Sequence, residues 1–312
     1  MKRPLECNTL LEFLENTLVC QDTCSAASIP SYRDDGLTFR GCLIAHMTLT
    51  LIEMQRIALY FKTPLYKIFA TSSIEKNFKQ TEDDLWNTLL TASFLHDIGK
   101  LTNEYIARQT PIKHHQISAM IAKKVLDKLS NNYMALEVAY AILFHHEAID
   151  WKIIEQSFFL FSYLQETLSP MSRFVYTINH DRLLIFEQNL CKNLDKIQQK
   201  NIITQLQYQI LTQTLTYAIH ELMHNQGVTL CIDREFDVAK MWEPRYIAPA
   251  LALYRLLYLA DNRAASARSQ YWFKLAQQVD WNKLESIAQQ IYSFLTRRYY
   301  YIGLSAIPEE KI

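Results

Sequence analysis

The sequence is poor in glycine and proline, with only 5 Gly and 8 Pro among 312 residues. This scarcity disfavours β-sandwiches, glycine-rich phosphate loops and collagen-like or linker-like chains, which need many such residues. Apolar residues make up 49% of the chain, enough to bury a substantial core as one large domain or two modest ones. The expected fold class is therefore all-α.

The sequence also lacks a charge excess, a C-x-x-C pair and a long apolar run. Lys+Arg and Asp+Glu both total 32, so no global basic field would bind nucleic acid by electrostatics alone. The six cysteines predict neither a disulfide framework nor a thiolate zinc site. No stretch of 18 uncharged apolar residues occurs, and Glu6 precedes any apolar N-terminal segment. We therefore expect a soluble cytoplasmic protein with no membrane association.

Apolar residues recur at helical spacing through most of the chain, and no segment alternates like a strand. Thr81, followed by three acidic residues, is typical of a helix start. The stretch 226–245 breaks the helical pattern and is expected to be a loop or a short hairpin. The predicted helices span 7–19, 42–62, 83–98, 112–129, 133–147, 151–165, 185–198, 202–225, 246–269 and 280–297.

Histidines and two aspartates carry the chemical signal. Six of the nine histidines fall at four places, namely His46, His96, His114-His115 and His145-His146. The apolar residues at helical spacing before His96 direct its imidazole towards the core, and the same pattern directs Asp261 inward. A lone buried carboxylate costs several kcal/mol unless it is paired or metal-bound. Imidazoles and carboxylates converging from different helices therefore predict a metal site with mixed nitrogen and oxygen ligands.

Four local motifs resemble the HD superfamily of metal-dependent phosphohydrolases, and within it most closely the CRISPR-associated HD nuclease of type I systems. They are LHDIGK (95–100), HQISA (115–119), AYAILFHH (139–146) and LADNRAAS (259–266). The resemblance implies an HD-domain helical bundle forming a single domain over 1–312, with core motifs in 42–147 and 246–269. Gln116 stands where the family usually has Glu, and the long separation of His146 from Asp261 implies a helical insertion at about 151–240.

The resemblance also implies a two-metal site. One ion would be held by His46, His96, Asp97 and Asp261, and the second by Asp97 with His115, His145 and His146. His115 is preferred to His114 from the register of the motif, although either could be the ligand. Asp97 and Lys100 are the implied catalytic residues, with Lys100 beside the scissile phosphate. The implied substrate-binding residues are Lys100, Ser118, Arg263 and Ser266.

The family implies DNA cleavage, preferentially of single-stranded DNA, in CRISPR interference against viruses. The chain has no G-x-x-x-x-G-K-[ST] motif, so unwinding is expected from a separate helicase acting with an RNA-guided surveillance complex. The implied cofactors are two divalent transition metal ions, Mn, Ni, Co or Fe, with Mg or Zn as alternatives.

Three other functions fit parts of the sequence. An HD phosphohydrolase could act on nucleotides or cyclic nucleotides, which would require a closed pocket with base contacts. A non-catalytic helical adaptor could keep a metal for structure. Finally, residues 220–224 read HELMH, the H-E-x-x-H pattern of zinc proteases, although a solvated or packed helix with incidental histidines is the favoured explanation.

Overall fold

The computed structural model describes residues 29–33, 39–75, 81–107, 114–129, 134–145, 173–231, 236 and 243–266. Most of these residues are helical, which confirms the all-α fold class. The α-helices are α1 (Leu43–Tyr60), α2 (Lys62–Glu75), α3 (Glu82–Leu95), α4 (Asn103–Ala107), α5 (His114–Lys128), α6 (Ala135–Phe144), α7 (His180–Gln199), α8 (Gln205–His224) and α9 (Pro244–Ser266), and a 3₁₀ turn spans Ile98–Leu101.

Two short antiparallel pairs accompany the helices. Strand β1 (Pro30–Arg33) pairs with β2 (Phe39–Cys42), and β3 (Arg173–Phe174) pairs with β4 (Leu230–Cys231). Strand β4 lies in the stretch expected to be a loop or a hairpin, but its partner lies more than fifty residues earlier in the chain. These strands span two to four residues, too few for an alternating pattern to stand out in the sequence.

All seven predicted helices that fall within the described residues are present, whereas those at 7–19, 151–165 and 280–297 lie outside them. The apolar spacing in the sequence did not predict α2, which a single turn residue, Phe61, separates from α1. Pro64 lies in the first turn of α2, where a missing N–H is tolerated. The buried face of α2 includes Leu65, Ile68 and Phe69.

Local sequence fixes where α3 begins. Thr81 Oγ1 accepts a hydrogen bond from the Asp84 amide at 3.1 Å, and Asp84 Oδ2 accepts one from the Thr81 amide at 2.8 Å. This reciprocal capping box, with Glu82 and Asp83 beside the positive end of the helix dipole, stabilises the first turn. The helix then runs to Leu95 with an almost wholly apolar second half, which places the next two residues at the centre of the bundle.

The core is a bundle of α1, α3, α5, α6 and α9, filled by large side chains such as Phe94, Tyr140, Phe144 and Tyr254, all fully buried. Helix α8 packs on α3 and α5, and α7 packs on α1 and α8. Residues 180–224 therefore lie directly against the bundle, and the limits of an insertion stay a prediction. None of the described helices combines the length and apolar character that crossing a membrane requires.

Candidate metal centre

Helix α1, the end of α3 and helix α9 bring four buried side chains together, which we call the first group: His46, His96, Asp97 and Asp261. His46 Nε2 lies 3.0 Å from Asp97 Oδ2 and 2.9 Å from Asp261 Oδ1. His96 Nε2 lies 3.4 Å and 3.6 Å from the same two oxygens. Two imidazoles and two carboxylates from three chain segments thus converge on one point.

A second group shares Asp97 with the first and adds His114 and His145. His114 Nε2 lies 3.1 Å from Asp97 Oδ1, and His145 Nε2 lies 3.7 Å from the same atom. The Asp97 carboxylate therefore turns Oδ2 towards the first group and Oδ1 towards the second. A carboxylate in this position can bridge two cations.

Backbone carbonyls orient two of the imidazoles. His96 Nδ1 lies 2.7 Å from the Ser93 carbonyl oxygen, and His145 Nδ1 lies 2.6 Å from that of Ile142. A carbonyl oxygen only accepts, so each Nδ1 carries the proton and donates it. In the neutral imidazole, Nε2 then presents its lone pair towards the carboxylates, as metal-ligating histidines do.

The two carboxylates are ionised despite their burial. Burial alone would raise the pKa of Asp97, but the charges of Lys100 and His96 hold it well below its usual range. Burial would likewise raise the pKa of Asp261, but hydrogen bonds from His46 and His96 hold that pKa well below its usual range. Both carboxylates can therefore serve as charged oxygen ligands of a cation.

The pKa values of two imidazoles shift in opposite directions. Burial would lower the pKa of His96, but Asp97 and Asp261 outweigh burial and raise it to about 9. Burial, aided by the charge of Lys100, lowers the pKa of His114 to about 4. His114 is thus neutral near pH 7, the form that binds metal, whereas His96 would release a proton on binding one.

The 3₁₀ turn after Asp97 is held tightly against the start of α5. The Gly99 amide donates to Ser118 Oγ at 2.9 Å. A Cβ added at Gly99 would lie 2.2 Å from the carbonyl oxygen of His114, so only glycine allows this approach. Ser118 lies one turn beyond His114 on the same face of α5. The contact between the 3₁₀ turn and α5 therefore sets the distance between His114 and Asp97.

The remaining predicted ligands are placed differently. His115 is buried, but it is the neighbouring His114 that the structure groups with Asp97 and His145. The structure thus places His114, the alternative that the sequence left open, with its Nε2 3.1 Å from Asp97 Oδ1. The preference for His115 as a metal ligand stays a prediction. His146 lies outside the described residues.

The predicted substrate-binding residues divide between the centre and structural contacts. Lys100 Nζ lies 2.6 Å from Asp97 Oδ2 and is almost fully buried, so it belongs to the centre. Two others make structural contacts. Ser118 is fully buried and accepts a hydrogen bond from the Gly99 amide, and Arg263 Nε donates a hydrogen bond to Glu53 Oε2. Ser266 is the last residue of α9, and its side chain lies outside the described part of the structure.

The H-E-x-x-H segment does not resemble a zinc-protease site. Its Glu221 is buried, accepts hydrogen bonds from Lys128 and Asn225, and is therefore engaged structurally. His220 is largely exposed, and its ring stacks on that of His224 with centroids 5.9 Å apart. The metal-holding groups found among the described residues do not include this segment. The packed-helix interpretation fits these contacts.

Sequence reasoning missed Glu53, a fully buried carboxylate on α1 that lies between Arg56 and Arg263. The one available signal was its spacing, since Glu53 follows His46 by seven residues and so shares its face of α1. Its partner on α9 lies 210 residues away in the chain, a distance over which no periodic pattern reports contact.

Comparison with known families adds one finding to this geometry. The family model described as HD domain matches residues 72–183, about a third of the chain. This part of the chain is therefore similar to an HD domain. It includes Asp97 and the histidines of the second group, while His46 and Asp261 lie on either side of it. No curated protein and no solved structure matches the chain.

An HD domain indicates a metal-dependent phosphohydrolase, and the residues present fit a metal. Both groups combine imidazole nitrogen with carboxylate oxygen, a donor set that suits divalent first-row transition ions. Both are buried, so their carboxylates require positive charge close by. The similarity to an HD domain thus agrees with buried groups that could hold a divalent metal ion, whose identity the donor set alone does not specify.

Proposed function

We propose that this protein is a metal-dependent nuclease that hydrolyses phosphodiester bonds in DNA, preferentially single-stranded DNA. The observation that carries the proposal is the position of Asp97, which turns one carboxylate oxygen towards each of two ligand groups. A centre with two ions joined by one carboxylate is suited to displacement at phosphorus.

The first ion would be held by the first group, and the second by Asp97, His114 and His145. The bound ions would supply Lewis acidity and a water of lowered pKa. His96 and His145 would each keep Nδ1–H on a backbone carbonyl and so keep Nε2 directed inward. Lys100, now paired with Asp97, supplies a fixed positive charge that can pair with a phosphate oxygen.

DNA is proposed as the substrate because four separate motifs resemble those of the CRISPR-associated HD nucleases. The chain has no net charge, which favours delivery of the substrate by partners over tight independent binding. We therefore extend the proposal to a role in CRISPR interference, with a separate helicase and an RNA-guided complex as partners. Mn, Ni, Co and Fe are the proposed ions, because their preferences match mixed nitrogen and oxygen ligands.

The test is cleavage of labelled single-stranded DNA by metal-stripped protein re-supplied with Mn²⁺, Co²⁺, Ni²⁺, Mg²⁺ or Zn²⁺. Parallel reactions contain duplex DNA, RNA, nucleotides and cyclic nucleotides. We expect DNA cleavage with at least one transition ion, reduced to background in Asp97→Ala. His220→Ala is the matched control, because it removes a histidine that is largely exposed on α8, and it should cleave like the wild type.

Other outcomes would overturn the proposal in different ways. Hydrolysis of nucleotides or cyclic nucleotides without cleavage of DNA would make the protein a nucleotide phosphohydrolase. Silence on every substrate, in protein shown by elemental analysis to hold its ions, would favour the adaptor function. Activity lost in His220→Ala but kept in Asp97→Ala would move the chemistry to the H-E-x-x-H segment.

A further inference from the structure

We propose that Glu53 and Arg263 are positioning residues that lock helix α9 against α1 and thereby hold Asp261 in the first group. The proposal rests on the metal centre of the proposed function but not on the identity of its substrate. It also gives Arg263 a role different from the substrate contact implied by the sequence motif.

The Glu53 carboxylate is shared between two guanidinium groups in the interior. Its Oε1 accepts from Arg56 Nη1 at 3.1 Å on the same helix, and its Oε2 accepts from Arg263 Nε at 2.5 Å on α9. Glu53 is fully buried and Arg56 nearly so. Charge-assisted hydrogen bonds in a low-dielectric environment are strong and directional, so this contact fixes geometry more firmly than apolar packing does.

The positions of the partners connect this contact to the metal centre. Glu53 lies seven residues after His46, so the two side chains leave α1 on nearly the same face. On α9, Arg263 lies two residues after Asp261, which places the two side chains about 200° apart around the helix axis. Helix α9 is therefore tied to α1 from two sides, by Asp261 to His46 and by Arg263 to Glu53.

A helix tied from two sides cannot rotate about its axis without breaking a contact. If the Glu53–Arg263 contact is removed, the contact of Asp261 with His46 is the one polar tie of the two that remains, and apolar packing, which tolerates sliding of small side chains, holds the other side of α9. Small side chains of this kind, Ala260 and Ala264, are buried on α9 near Asp261. Asp261 Oδ1 would then move relative to His46 Nε2, and the first ion would lose an oxygen ligand before any effect reached the second group.

The same geometry argues against a direct contact between Arg263 and substrate. The Nε edge of the guanidinium is held by Glu53 on α1, and this side chain leaves α9 on the side opposite Asp261. A residue that met the substrate would alter the KM for DNA and leave metal affinity unchanged. A positioning residue would do the reverse, so metal affinity separates the two roles without any cleavage assay.

The experiment titrates metal-stripped protein with Co²⁺ and follows the visible absorption bands of the bound ion. Arg263→Met removes the charge, while Arg263→Lys keeps it. Glu221→Gln is the matched control, because Glu221 is also a buried carboxylate in an inter-helix ion pair, with Lys128, but lies outside both ligand groups. Each variant is also made with His114→Ala, which removes a ligand of the second group and isolates binding at the first.

We expect Arg263→Met to weaken Co²⁺ binding at the first group by about tenfold, the lower end of what supporting residues around a metal contribute. Arg263→Lys should recover most of this loss, and Glu221→Gln should bind Co²⁺ like the wild type at a lower melting temperature. Equal Co²⁺ affinity in folded Arg263→Met and in the wild type would overturn the proposal, as would an equal loss in Glu221→Gln. Because the readout is metal affinity, failure of DNA cleavage alone would refute only the proposed function.

Discussion

Replacing Gly99 with alanine tests how the second ligand group is assembled. The added Cβ would lie 2.2 Å from the His114 carbonyl oxygen and 3.0 Å from Ile117 Cβ. Carbon and carbonyl oxygen settle at roughly 3.3 Å in close contacts, so the start of α5 would have to retreat by about 1 Å. His114 Nε2, now 3.1 Å from Asp97 Oδ1, would retreat with it.

Two consequences follow from this displacement. Overpacking of this kind costs about 1–3 kcal/mol, which lowers the melting temperature by several degrees in a chain of this size. A misplacement of about 1 Å at a reacting centre costs on the order of 100-fold in rate. We therefore expect Gly99→Ala to fold, to lose most of the proposed DNA-cleavage activity and to retain one of the two proposed ions.

The assay measures melting temperature, cleavage rate and bound metal by elemental analysis after dialysis. Gly227→Ala is the matched control, since Gly227 has a φ of 71° and a Cβ there would meet nothing within 4 Å. That variant should lose about 1–2 kcal/mol through backbone strain while keeping both ions and full activity. The reasoning fails if Gly99→Ala keeps both ions and wild-type activity, or if Gly227→Ala loses an ion as well.

Three further predictions concern a ligand, an ion pair and a helix cap. His114→Gln should lower the number of tightly bound ions from two to one while His115→Gln keeps two, measured by elemental analysis; the opposite pattern would support the preference for His115. Burial would raise the pKa of Glu221, but the contact with Lys128 lowers it below the ordinary value of 4.5. The ion pair therefore stabilises the fold above pH 4.5, and this stability is lost as the pH falls through the pKa of the folded state. Glu221→Gln should therefore flatten the acid limb of thermal stability, and an unchanged limb would contradict this. Thr81→Ala should cost about 1 kcal/mol by removing the cap of α3, measured by urea unfolding, and a neutral result would show that tertiary packing alone fixes the start of α3.

Sequence reasoning succeeded where one helix carried the whole pattern. The apolar spacing before His96 and before Asp261 predicted that both would face the core, and both are buried. It fell short where the outcome depended on contacts between segments. The preference between His114 and His115 is an example, because the proximity of His114 to Asp97 is a contact between α5 and the segment after α3.

Long-range partners were inaccessible for the same reason. The substrate role expected for Arg263 came from the resemblance of a local motif to a family. Nothing local indicates that Glu53, 210 residues away, accepts a hydrogen bond from its guanidinium. Helix α2 was missed because a single turn residue, Phe61, divides it from α1. Prediction from one sequence thus indicated which helix faces are buried. It did not indicate the contacts between segments that distinguish two neighbouring histidines, His114 and His115, as possible ligands.

Removal of the metal separates a catalytic centre from a structural one. Lys100 Nζ lies 2.6 Å from Asp97 Oδ2, and His96 faces both carboxylates, so side chains of the protein place positive charge beside the buried negative charge. The surrounding apolar core is continuous across eight of the described helices and is formed by residues other than the ligands. We therefore expect chelation to leave the helical circular dichroism spectrum unchanged. The melting temperature should fall only by the amount that corresponds to the lost binding free energy of the ions. A domain that uses its metal for structure unfolds when chelated, so loss of the helical spectrum in excess chelator would favour the adaptor function over catalysis.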